Sequence, residues 1–157
     1  MEFAKNVVVS IGTAEDGVGA QAFGALSQMT FLNHSTIHFV HVFKTMLYSS
    51  GLTPNLLYPA PEERTEIEES VFQYLKRTFA PIVPSGFEGQ AHFKCLFSEA
   101  PKEAILKYVD AMSADLVILA SRKERGFFES SFAEYVSKHT VADVLILKMG
   151  REDLIGR

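Results

Sequence analysis

The chain has one cysteine, Cys95, so it can form no intramolecular disulfide, and this usage fits a reducing compartment. Formal charge is missing over a long stretch: residues 17–43 contain no Asp, Glu, Lys or Arg. A membrane-spanning helix needs about 20 predominantly apolar residues. Gln21, Ser27, Gln28, Asn33, His34, Ser35 and His38 interrupt the stretch and exclude that reading. The opening MEFAKNVVVSIG has an acidic second residue and no long apolar run behind a basic start, so it reads as a strand and not a signal peptide. A surplus of positive charge is also lacking. The net charge of −4 gives no reason to expect nucleic acid as a partner, and the basic patch at residues 122–125 is too short to form such a surface. There is no Walker loop, dinucleotide fingerprint or G-x-S-x-G elbow, and no repeat or low-complexity tract. Nothing pairs a nucleophile with a base. These absences predict a soluble cytoplasmic protein that is neither an enzyme nor a membrane or nucleic-acid binder.

What is present is an ordinary globular composition, 47% hydrophobic and 22% charged over 157 residues. That length suits one domain, here residues 1–150, followed by a short polar tail at 151–157. Apolar runs predict five strands, at 6–11 (NVVVSI), 36–43, 91–97, 115–120 and 142–148. Four helices fall between them. The first runs from a Thr13 or Asp16 cap to about Leu32, with Val18, Ala22, Ala25, Leu26, Met29 and Leu32 on one face and Asn33 as a left-handed end. The second covers 62–80 with Ile67, Val71, Tyr74, Leu75 and Phe79 inward, and Pro81, Pro84 and Gly86 end it. The third opens at Pro101 and carries Ile105, Val109 and Met112 inward; the fourth covers 130–139. Residues 44–61, with three prolines, read as a long functional or mobile connection.

Strands alternating with helices predict an α/β fold with a parallel sheet covered on both faces. The first and fourth strands are the most continuously apolar and belong at the centre. The third alternates and carries Lys94, which suits an edge.

The order of elements, together with NVVVSIG, HFVHVF, EAPKEAILKYVDAMSADLVILAS and SSFAEYVSKHTVADVLILKM, resembles the universal stress protein family over about residues 4–149. His41-Val42 in the second strand, Pro101 at a helix start and Ala114-Asp115-Leu116 before the fourth strand match recurrent features of that family. The resemblance implies a Rossmann-like, adenine nucleotide alpha hydrolase-like sheet of five strands in order 3-2-1-4-5. It also implies a homodimer through the last strand, at Val144, Leu145, Ile146 and Leu147. An apolar edge strand needs such a cover, although the last helix and the tail offer an alternative one.

In sheets of this order, ligands bind at the carboxyl ends of the strands where the order reverses. The candidate crevice residues are Gly12, Val42, Ala120, Ser121, Arg122, Lys123, Arg125, Ser130, Ser131 and Phe132. The family's ATP-binding subgroup shows an Asp ending the first strand and G-x2-G-x9-G-[ST] after the fourth. Glycines suit that loop because backbone amides must approach phosphate oxygens closely, and the last pair opens a helix whose dipole favours an anion. Here the Asp position falls on Gly12, the first two glycine positions on Ala120 and Lys123, and the last pair on Ser130-Ser131, with the spacing three residues short. A hydrogen bond to a charged group contributes about 1.5–3 kcal/mol. Losing two lowers affinity about a hundredfold to ten-thousandfold. The chain therefore reads as a non-ATP-binding member with no cofactor and an unknown protein partner. The alternative is nucleotide binding in which Arg122, Lys123 and Arg125 replace the glycine contacts. A slow nucleotide hydrolase ranks last, because no base is in sight.

The five histidines lack metal-ligand spacing. His38 and His41, three apart on a strand, point to opposite faces. Cys95 reads as core packing and Phe127-Phe128 as packing under the shortened loop. A phospho-acceptor receiver domain is rejected because the third strand ends Phe97-Ser98-Glu99, without an acceptor Asp.

Overall fold

The computed structural model describes residues 4–11, 20–50, 53–57, 61–122 and 131–149. β1 (Asn6–Ile11) is followed by two 3-10 helices (Ala20–Gln28 and Thr30–Leu32) and by β2 (Thr36–Lys44). A hairpin of β3 (Met46–Ser50) and β4 (Thr53–Leu57) leads into α1 (Pro61–Phe79), a 3-10 turn (Ala80–Ile82) and β5 (Gln90–Ser98). Then come α2 (Pro101–Ala111), β6 (Leu116–Arg122), α3 (Ser131–His139) and β7 (Asp143–Met149). The main sheet has the order β5-β2-β1-β6-β7 and every pair in it is parallel. With the hairpin set aside, this is the order 3-2-1-4-5 expected above.

β1 is central because it is apolar on both faces: Val7, Val8, Val9 and Ile11 are all buried. Val7 and Val9 turn to one side of the sheet, where Ile37, Phe39 and Ile118 meet Phe23, Leu26, Leu32, Leu75 and Phe79. Val8 turns to the other side and packs with Val40, Val117 and Leu119 against Ile105 and Val109 of α2 and Ala133 and Val136 of α3. The strands are thus sandwiched between two helical layers.

Between residues 4 and 79 the structure departs from the sequence expectations at four places. The first helix is 3-10 wherever it is described. A 3-10 helix repeats every three residues, so Phe23, Leu26 and Leu32 are buried with Met29 partly buried, while Ala25 is exposed. Val18 and the two expected caps lie outside the described residues. Asn33 has φ −57°, a right-handed conformation and not the left-handed end expected. Residues 46–50 and 53–57 pair as antiparallel strands and do not form an unpaired connection, with Met46 opposite Leu57 and Ser50 opposite Thr53. Pro54 is tolerated there because a two-stranded sheet is all edge. Tyr74 is exposed, because the buried stripe of α1 follows the four-residue row of Val71, Leu75 and Phe79, and Tyr74 falls beside it.

Candidate ligand crevice

β1 pairs with β2 on one side and with β6 on the other, so the chain order reverses at the β1–β6 seam and leaves a crevice at the carboxyl ends of these strands. On one wall, His41 Nδ1–H donates to the Ile11 carbonyl at 2.9 Å and holds β2 against the last residue of β1. The next residue, Val42, is half-buried and packs on the α2–α3 side of the sheet. On the other wall, Ala120 is half-buried and packs on the α1 side.

β6 does not stop at Ala120, where the sequence expectation ended it. The ladder with β7 continues through Ala120–Leu147, Ser121–Lys148 and Arg122–Met149. Ser121 and Arg122, expected in the loop, are therefore strand residues, because β7 is long enough to keep pairing with them. Ser131 opens α3, and Phe132 is half-buried against the α2–α3 core, the side of the sheet on which Val42 also packs. Gly12, Lys123, Arg125, Phe127, Phe128 and Ser130 lie outside the described residues. Of the ten candidate crevice residues, the structure brings the backbones of Val42, Ala120, Ser121 and Arg122 to the same end of the sheet.

Among the described residues no group of three or more His, Cys, Asp or Glu side chains is placed to hold a metal, and no helix is long and apolar enough to cross a membrane. The Cys95 thiol is buried, and desolvation together with the nearby Glu68 pushes its pKa up to about 11, against smaller opposing effects of a backbone hydrogen bond with Phe43 and of Lys94. A thiol held in that state is a poor nucleophile. β7 pairs with β6 alone among the described residues, and Val144, Leu145, Ile146 and Leu147 are half-buried along that edge.

At the opposite end of the sheet lies a polar cluster that sequence reasoning missed. His38 lies with Nε2 at 3.0 Å from Asn6 Oδ1 and Nδ1 at 3.2 Å from the Tyr108 hydroxyl, and its ring stacks on that of His92. Its partners are 32 and 70 residues away, so no local pattern could have joined them. His38 and His41 thus reach different ends of β1 and share no ligand position.

The family profile that matches the chain, that of the universal stress protein family, spans residues 5–148. The chain belongs to the universal stress protein family. No curated protein sequence matches it. Among solved structures, universal stress protein UspA from Lactobacillus plantarum is 15% identical with a TM-score of 0.58, covering 92% of this chain and 98% of that one. A universal stress protein family protein from Arabidopsis thaliana, solved with AMP bound, is 18% identical with a TM-score of 0.56, covering 95% and 94%. The universal stress protein from Archaeoglobus fulgidus in complex with dAMP is 13% identical with a TM-score of 0.56, covering 94% and 100%. At such identities the universal stress protein fold is what these structures share with the chain.

Proposed function

We propose that this universal stress protein is a non-catalytic, dimeric signalling or interaction module of the cytoplasm whose nucleotide site is degenerate. The observation that carries this reading is the β6–β7 ladder, which runs through the position of the first loop glycine to Arg122. A phosphate cradle needs successive backbone amides converging on the anion. Amides in an extended strand alternate in direction and do not converge. The replacement of Asp by Gly12 and of glycine by Lys123 acts in the same sense.

The second reading is binding of an adenine nucleotide through Arg122, Lys123 and Arg125. It is favoured by the relatives solved with AMP and dAMP, because a monophosphate needs fewer amides than a triphosphate. A thermal-shift titration with Mg-ATP and with AMP separates the two. A ligand that binds only the native state stabilises it by RT ln(1 + [L]/Kd). The expected result is no shift at sub-millimolar nucleotide. Clear stabilisation that is lost in the Arg122→Ala/Lys123→Ala/Arg125→Ala variant would replace the first reading with the second.

A further inference from the structure

The His38 cluster lies at the amino ends of the strands, away from the crevice, and the proposed function leaves it unused. Asn6 Nδ2 donates to the Met112 carbonyl at the end of α2, so Asn6 presents its Oδ1 to His38. An oxygen there only accepts, so His38 Nε2 must carry the hydrogen. His38 Nδ1 is then the acceptor, and Tyr108 donates its hydroxyl proton to it. One neutral tautomer thus ties β1, β2 and the carboxyl-terminal half of α2 together.

We propose that the stacked His38–His92 pair is an acid-sensitive latch whose protonation releases the carboxyl-terminal half of α2 from the sheet. His38 is 8% exposed, and the two imidazole centroids are 5.2 Å apart with planes at 23°. Asn6 faces His38 from β1, His92 from β5 and Tyr108 from α2. The Asp115 carboxylate, close by in the chain of contacts, accepts the backbone N–H of Asn6. Both ring nitrogens of His38 are therefore engaged by neutral groups, and no carboxylate bonds to either. A proton arriving at Nδ1 turns that acceptor into a donor, so the Tyr108 O–H must swing away. It also places a charge in a half-dry site against a second imidazole that is exposed to solvent.

Burial, and then the proximity of His92, hold the His38 pKa below its ordinary value of 6.5. The closed latch binds fewer protons than the open one, so its stability is fully present above 6.5 and is lost as the pH falls through the lowered native value. Opening uncouples Tyr108 and Met112 first, while Ile105, nearer the start of α2, stays packed on Val8 and Val40.

Hydrogen exchange of the whole chain, corrected for intrinsic rates, at about pH 7.5 and about pH 5.5 brackets the ordinary imidazole value. Protection of residues 108–112 is expected to fall severalfold at the lower pH, up to the limit of about tenfold that opening to an ordinary imidazole allows between these conditions, while β1 and β6 keep theirs. His38→Gln retains a donor and cannot titrate, so its α2 protection is expected not to change between the two conditions. A wild-type chain with no selective loss in α2, or His38→Gln with the wild-type response, overturns the proposal. Should His38→Gln fail to fold, imidazole 15N spectra of the wild type decide the matter. A neutral Nε2–H tautomer at neutral pH that protonates together with α2 opening supports the latch, and α2 opening while His38 stays neutral overturns it.

Discussion

Gly89 stands where no side chain fits. A Cβ there would lie 1.9 Å from the Ser35 carbonyl oxygen and 2.9 Å from the Phe87 ring. The backbone comes this close because Gln90 N–H donates to that same Ser35 carbonyl at 3.1 Å, which starts β5 alongside β2. Gly89→Ala is therefore expected to lower stability by about 1–3 kcal/mol, the usual cost of overpacking, with the lost midpoint read by urea denaturation. Gly24→Ala, which meets nothing within 4 Å, serves as the control and is expected to be near neutral. Residue-scale meaning of this kind is only partly legible in a sequence. Cys95 is readable as core because it shares a strand face with Phe93 and Phe97, alternating with His92, Lys94 and Leu96. The needs of Gly89 and His38 are set by partners distant along the chain, Ser35 for one and Asn6 and Tyr108 for the other.

Among the elements, the strands of the main sheet were legible nearly to the residue, because buried parallel strands are continuous apolar runs bounded by turns. The first helical segment was legible as helix but not in its pitch. Leu26, Met29 and Leu32 satisfy a repeat of three as well as a repeat of 3.6, and Phe23 against Ala25 is what separates the two. Phe23 is buried edge-to-face on Phe79 with ring centroids 5.7 Å apart, while Ala25 faces solvent. Phe23→Ala is expected to cost about 3–5 kcal/mol. Ala25→Lys is expected to stay within about 0.5 kcal/mol, as surface substitutions do. Thermal or chemical unfolding of the two variants measures this, and a ruinous Ala25→Lys would restore the α-helical arrangement. The position of the crevice followed from strand order alone. The extension of β6 to Arg122 did not, since it depends on how far β7 offers pairing partners.

For the whole molecule, the open question is what covers β7. From Val144 to Leu147 the strand carries no charge, and no strand pairs with its outer side among the described residues. Long uncharged edges invite pairing with another chain, and a two-fold axis would let the same strand serve both copies. The backbone indicates how to test this without damaging the monomer. Asp143 N–H donates inward to the Asp115 carbonyl at 3.0 Å. Donors along a strand alternate in direction, so Leu145 and Leu147 also turn inward, whereas Val144 and Ile146 present their N–H groups outward. Proline at an outward position removes only an edge donor. Val144→Pro is therefore expected to convert a dimer to a monomer in sedimentation analysis while leaving the far-UV circular dichroism unchanged. Leu145→Pro strikes the β6 ladder itself and is expected to destabilise the fold. A wild-type chain that stays monomeric at high concentration would leave the edge argument without force. A Val144→Pro chain that still dimerises would move the interface away from β7.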